Sequence, residues 1–243
     1  MINKIVSRQN QRILYACLLK EEKNRRIYKQ FLMEGRLALE MGLKKNLVKE
    51  IFTLSPLEVA QKDVVVNLVD KKVMDKLSSE RNPEGIVFIS DIPDFEDQDY
   101  KKIIYLDHIS DPGNMGTIIR TALGLGMDAI YISNGSVSLF NDKVLAASKG
   151  AIYEMPIFFK EIDDLVKAKA KGYQIISTAL KGNTVDVSEL KVKTPFICVF
   201  GNESRGVDEK IISLSDVTTK IEIKKIDSFN VAISAGIIMY HLK

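Results

Sequence analysis

Apolar residues change their spacing repeatedly along this chain, and the changes predict strands alternating with helices. Ile13, Leu14, Cys17 and Leu18 recur at i, i+1, i+4 and i+5 with Lys and Arg on the other face, so residues 8–30 are expected to be helical. Phe31-Leu32-Met33-Glu34-Gly35 then reads as a short strand, and Arg36 to Met41 as a helix stopped by Gly42. Strands are expected over Val48–Leu54, Asp63–Val69 and Gly85–Ser90. A short helix opened by Pro56 and one or two helical turns over Val73–Ser78 fall between them. This half is a small α/β unit that carries no catalytic constellation.

The acidic, proline-started stretch Pro93-Asp94-Phe95-Glu96-Asp97-Gln98-Asp99 breaks the pattern, which sets an expected boundary between domains 1–95 and 96–243. Beyond it come strands over Lys102–Leu106, Ala129–Ser133, Met155–Phe159 and Tyr173–Ser177. Helices are expected over Thr117–Leu125, Lys143–Lys149 and Asp163–Lys171, the first closed by Gly126 and the last by Gly172. Phe196-Ile197-Cys198-Val199-Phe200 is apolar without a break, the pattern of a strand covered on both faces. A further strand near Thr219–Ile223 leads to a helix from Val231 to Leu242. Such alternation predicts an α/β fold around a parallel sheet. The strands at 196–200 and 219–223 are expected side by side, their polar turns forming a ligand crevice.

Charge adds one feature. The 243 residues sum to +3, but the first fifty hold 12 Lys or Arg against 5 Glu and no Asp, giving +7, and the remainder sum to −4. A basic arm of this kind suits a polyanion such as RNA, although a solvated helix face explains the same numbers more simply. No apolar run reaches the roughly 18 residues of a membrane span, and residues 1–10 lack the apolar core of a signal peptide. With only two cysteines, Cys17 and Cys198, the expectation is a reduced, cytoplasmic protein. The two histidines, His108 and His241, lie far apart, and no metal site is expected.

Three turns follow strands. In Asn114-Met115-Gly116-Thr117-Ile118-Ile119-Arg120 the Asn falls at an expected helix start, an ordinary place for an N-cap, with Arg120 nearly two turns on. Gly201-Asn202-Glu203-Ser204-Arg205-Gly206 is neither a phosphate loop, for want of Gly-Lys-Ser/Thr, nor a dinucleotide fingerprint. It is not a Gly-x-Ser-x-Gly elbow either. Ser228-Phe229-Asn230 reads by itself as a helix cap.

In this order and spacing, however, the turns resemble the three motifs of the SpoU/TrmH branch of the SPOUT RNA methyltransferases. The motifs are Leu106–Gly116 continuing to Arg120, then Phe200–Gly206, then Ile221-Glu222-Ile223 through Ser228-Phe229-Asn230-Val231. The first half is similar to the substrate-binding domain, related to ribosomal protein L30e, of rRNA-directed members, through Ser7-Arg8-Gln9-Asn10 and Phe31–Gly35. The resemblance implies a trefoil-knotted C-terminal domain, S-adenosyl-L-methionine as cofactor, a homodimer formed through that domain, and methylation of a ribose 2′-hydroxyl, most simply in 23S rRNA. It also implies catalytic positions at Asn114, Arg120, Glu203, Ser228 and Asn230, and cofactor positions at Gly201, Ile221 and Phe229. The sequence departs from the family pattern at Glu222 and Ile223 (usually Pro-Met), at Phe229 and Ala232, and by one residue in the loop before Ser228. The alternatives are a tRNA ribose methyltransferase and a non-catalytic RNA-binding or ribosome-assembly protein of the same fold.

Overall fold

The structure is a computed structural model describing residues 3–180 and 182–243. The chain forms two compact units, Met1–Asp94 with Leu139–Glu154, and Phe95–Ser138 with Met155–Lys243.

The first unit contains β1 (Asn3–Ile5), α1 (Gln11–Leu18), α2 (Glu22–Tyr28), β2 (Gln30–Glu34), α3 (Arg36–Lys44), β3 (Val48–Thr53), β4 (Val65–Val69), α4 (Lys71–Leu77) and β5 (Ile86–Asp91). Its five strands form one mixed sheet in the order β1-β4-β3-β5-β2, with β1, β4 and β3 parallel and β5 antiparallel to β3 and β2. The helix expected over residues 8–30 is broken. Arg25 donates from Nη1 to the carbonyls of Leu19 and Lys20, at 3.1 and 2.7 Å. Those acceptors are thereby committed to a side chain instead of to a continuing helix. No helix follows Pro56, because the Thr53 hydroxyl closes the turn there, donating to Ser55 O and accepting from Ser55 N. Gly42 does not stop α3 but lies inside it, where a Cβ would sit 3.0 Å from Val48 and 3.2 Å from Tyr153. Close packing, not termination, explains that glycine.

Residues 139–154, expected within the C-terminal domain, belong instead to the first unit. Phe140 and Tyr153 both pack on the ring of the fully buried Phe31, with centroids 5.0 and 5.8 Å away. This has a testable consequence. A chain lacking residues 1–95 would uncover Val144, Leu145, Ile152 and Tyr153, all buried here. Each buried side chain of this size stabilises by roughly 1.5–3 kcal/mol. The truncated chain is therefore expected to aggregate on expression, and a monodisperse, cooperatively melting product would contradict this packing.

The second unit is a seven-stranded sheet, parallel throughout, in the order β10-β12-β9-β11-β6-β7-β8. Its elements are β6 (Lys102–Leu106), α5 (Pro112–Gly124), β7 (Ala129–Ile132), β8 (Ile157–Phe159), α7 (Ile162–Ala170), β9 (Gln174–Thr178), β10 (Val185–Asp186), β11 (Phe196–Phe200), α8 (Glu209–Leu214), β12 (Val217–Lys220) and α9 (Val231–Leu242). The remaining helix, α6 (Asp142–Ser148), is the one in the segment that joins the first unit. All five residues of β11 are buried, as their unbroken apolar run requires of a central strand. One expectation fails. β11 and β12 are not neighbours, because β9 lies between them, and β11 is flanked by β9 and β6. In addition β12 stops at Lys220, so Ile221–Ile223 is not strand.

Candidate functional site

The site grows from the C-terminal ends of β6 and β11, neighbours in register from Phe196–Lys102 to Phe200–Leu106. After β6 the chain turns through Asp107 and His108, which has a left-handed φ of 54°, into α5. The true N-cap of α5 is Asp111, whose carboxylate accepts from Asn114 N at 2.7 Å, with Pro112 at the first helical position. Asn114 is thus a residue of the first turn and not the cap. Its side chain is free to act elsewhere.

After β11 comes Gly201, where a Cβ would lie 2.1 Å from the backbone of Gly206 and Val207. Only glycine fits a chain that doubles back this tightly. Asn202 organises the turn: its Oδ1 accepts from Ser204 N and Arg205 N, and its Nδ2 donates to His108 O at 2.8 Å. Asp107 ties the two turns from below, accepting from Asp208 N at 2.8 Å and meeting His108 Nδ1 at 2.6 Å.

These ties aim Glu203 at the start of α5. Glu203 Oε1 accepts from Asn114 Nδ2 at 3.0 Å and Asp111 N at 3.3 Å, and Oε2 from the Ser110 hydroxyl at 2.9 Å. The carboxylate thereby fixes the Asn114 amide, whose Oδ1 accepts from Asn230 Nδ2 at 2.8 Å. Asn230 caps α9, accepting from Ala232 N and Ile233 N. One relay, Glu203–Asn114–Asn230, therefore links the three turns that the sequence singled out.

Burial pushes the Glu203 carboxyl up, but the donors from Asn114, Ser110 and Asp111 outweigh it and hold it below its ordinary value. A carboxyl lowered in the folded state stabilises above its unfolded pKa, and that contribution disappears as pH falls through the folded value. Glu203→Gln is therefore expected to destabilise at neutral pH, with the gap to the parent protein closing below about pH 4. Melting curves from pH 3 to 7 measure it, and a gap independent of pH would contradict the assignment.

The other expected positions sit differently. Arg120, on α5, is exposed and has no hydrogen bond or ion pair among the described residues. Ser228 is exposed in the loop before α9 and is not part of the relay. Ile221 and Phe229 bound a segment, 221–229, whose main chain makes one hydrogen bond among the described residues, Glu222 N to Asp186 Oδ2. Ile226 and Phe229 expose apolar surface along it. Uncommitted main-chain groups beside exposed apolar side chains suit an aromatic ligand with hydrogen-bonding edges, such as an adenosine. Sequence reasoning missed Asp107, Ser110, Asp111 and Asn202. Asp111 was recoverable, since Asp before Pro at a helix start is a cap signature. Among the described residues no group of three His, Cys, Asp or Glu could hold a metal ion, and no helix is long and apolar enough to cross a membrane.

The fold, a parallel α/β sheet in which the relay joins the turns after β6 and β11 to the cap of α9, is the one shared by solved SPOUT-type methyltransferases. The model of the SpoU rRNA Methylase family matches residues 101–240, and the chain belongs to that family. It is 28% identical, over 248 residues and 100% of both chains, to the 23S rRNA (guanosine(2553)-2′-O)-methyltransferase RlmP of Bacillus subtilis. The AdoMet-bound rRNA methyltransferase from Sinorhizobium meliloti superposes with a TM-score of 0.84 at 25% identity, covering 99% of this chain and 97% of that one. The TrmH/SpoU tRNA modifying enzyme of A. aeolicus matches less of it, with a TM-score of 0.52 at 26% identity over 57% of this chain and 72% of that one.

Proposed function

We propose that this protein transfers a methyl group from S-adenosyl-L-methionine to a ribose 2′-hydroxyl of 23S rRNA. The observation that carries the reading is the Glu203–Asn114–Asn230 relay, which joins the turns after β6 and β11 to the cap of α9. When bound, S-adenosyl-L-methionine supplies a methyl already activated on a sulfonium, so the chain's task is to position the acceptor oxygen and stabilise its developing charge. Gly201, Ile221 and Phe229 would hold it, largely through main chain.

Arg120 is the group for the acceptor. A guanidinium keeps its charge, so its contribution is electrostatic: it stabilises negative charge growing on the 2′-oxygen. Its exposure leaves it open to an RNA ribose or phosphate. Asn114, fixed by Glu203, orients the acceptor, while Ser228 and Asn230 shape the third turn.

The 23S rRNA reading over a tRNA one is supported by the B. subtilis relative, which matches 100% of this chain, where the tRNA modifying enzyme matches 57% of it. We read the first unit, residues 1–94 joined by 139–154, as the L30e-like domain that docks RNA through its basic face, and the second unit as the methyltransferase domain. We also read the second unit as carrying the trefoil knot that the family resemblance implies. Ile233, Ile237 and Tyr240 expose an apolar stripe along α9, the surface we assign to a homodimer. The cellular setting is the cytoplasm, where rRNA is modified.

The test presents labelled S-adenosyl-L-methionine with separate pools of unmodified 23S rRNA, 16S rRNA and tRNA. Label in 23S rRNA alone is expected. Label in tRNA alone would shift the substrate class, and absence of both cofactor binding and label would favour a non-catalytic RNA-binding protein.

A further inference from the structure

The positive charge of the first unit is not neutralised evenly. Arg12, Arg26, Lys45 and Lys49 are held in ion pairs with Glu50, Glu22, Glu154 and Asp91. Arg8 has no such partner among the described residues. It lies in the Ser7–Asn10 turn, which closes on itself: the Ser7 hydroxyl accepts from Gln9 N, Ser7 O accepts from Asn10 N, and Asn10 caps α1.

That turn is tied to α4 in both directions. Arg8 Nε donates to Lys72 O at 2.8 Å, and Lys76 Nζ donates to Arg8 O at 2.8 Å. Beneath the ties, Ile13 and Ala16 of α1 share one core cluster with Val73, Met74 and Leu77 of α4, so the corner is built on packed helices. Both Nη nitrogens of the exposed Arg8 are left without a protein acceptor among the described residues. Lys71 and Lys72 are exposed beside it. Asp70 is engaged as the cap of α4, and Asp75, exposed on the same helix, forms no ion pair with these cations among the described residues. Two features here cost stability. Lys71 and Lys72 open α4, whose first turn holds no acidic residue, and the helix dipole disfavours cations there. Lys72 and Lys76 are like charges at i and i+4, a destabilising pair. A merely solvated helix face needs neither.

We propose that this corner, where the Ser7–Asn10 turn meets α4, docks the phosphodiester backbone of the RNA substrate, with Arg8, Lys71, Lys72 and Lys76 as its phosphate contacts. The inference rests on the RNA reading above and locates the docking surface within the first unit. Arg8 offers the Nη edge of a guanidinium already pinned through Nε, so little side-chain freedom is lost on binding. The lysines add point charges around it. Contacts of this kind fix register and orientation but carry no sequence information, so the choice of nucleotide lies elsewhere. The opposite face of the sheet provides a comparison. Leu32 of β2 joins the cluster of α1 and α4, while its neighbour Phe31 packs on Tyr153, the ring beside Gly42 of α3. On that α3 face Lys44 and Lys62 are also exposed, and Gln61 ties the loop carrying Lys62 to Leu43 O.

Filter binding of the full-length protein to a 23S rRNA transcript, between about 50 and 200 mM salt, tests it. Lys71→Gln combined with Lys72→Gln is expected to weaken binding roughly tenfold or more at about 150 mM salt. It should also flatten the log–log salt slope by about 1.4–1.8, the share of two phosphate contacts. The melting temperature should not fall, because two cations leave the positive end of α4, and S-adenosyl-L-methionine affinity should be unchanged. Lys44→Gln combined with Lys62→Gln removes the same charge from the opposite face and should bind RNA like the parent. Equal weakening by the two double variants, rRNA binding that does not vary with salt, or a loss at Lys71 and Lys72 that comes only with a lower melting temperature would each overturn the proposal. Parent-like RNA binding by the Lys71/Lys72 variant, with methylation intact, would remove the docking surface and leave the enzymatic reading standing. Corner-dependent binding by a protein that transfers no methyl group would do the reverse.

Discussion

Gly201→Ala is expected to unmake the second turn and, with it, cofactor binding. The added methyl would lie 2.1 Å from the Gly206 and Val207 backbone, neither of which is the movable end of a side chain. Relief requires opening the Asn202–Gly206 bridge that closes the turn. Opening it withdraws Asn202 from His108 and Glu203 from Asn114. Overpacking that forces backbone to shift belongs with the large mutational effects, about 4 kcal/mol or more. At roughly 2–4 °C per kcal/mol for a chain of this size, the melting temperature should fall by about 8–16 °C. S-adenosyl-L-methionine affinity should be lost in calorimetry even below that temperature. A variant that melts like the parent and binds the cofactor normally would show that the turn has slack that the geometry denies.

Arg120→Ala should have the larger effect on rate and almost none on stability. The side chain is exposed and unpaired among the described residues, so its removal leaves no cavity and no orphaned partner, and surface changes of this kind stay within about 0.5 kcal/mol. If the guanidinium stabilises the developing oxyanion, kcat should fall by about 10²–10³-fold, as when one such donor is deleted elsewhere. Arg120→Lys should recover part of the loss, because a point charge replaces the charge but not the planar fork. Single-turnover rates at saturating RNA separate this from weaker binding. Near-normal turnover in Arg120→Ala would remove Arg120 from the chemistry.

Some of this molecule was legible in its sequence because local signals agreed. Lys102–Leu106, Phe196–Phe200 and Val231–Leu242 are apolar runs bounded by polar turns, and their observed limits are those the pattern predicts. α5 begins five residues earlier than expected because Pro112 and Gly113 look like turn residues until Asp111 is seen capping them. α8 and β10 are too short, at six and two residues, to show a period. Strand adjacency was not legible at all. Parallel crossovers let β9 slip between β11 and β12, and no sequence period records that choice. The site followed the same division. Asn114, Glu203 and Asn230, singled out from three separate motifs, are joined by hydrogen bonds into one relay that no motif by itself records. The ties through Asp107 and Asn202 depend on two turns meeting across the sheet, about a hundred positions apart in sequence.

The central claim is that the relay-linked turns direct methyl transfer to ribose oxygen. The most direct measurement digests 23S rRNA labelled by the purified protein and separates the nucleosides. The account predicts all label in one 2′-O-methyl nucleoside, recovered from alkali as a resistant dinucleotide. Label in a base-methylated nucleoside would contradict it.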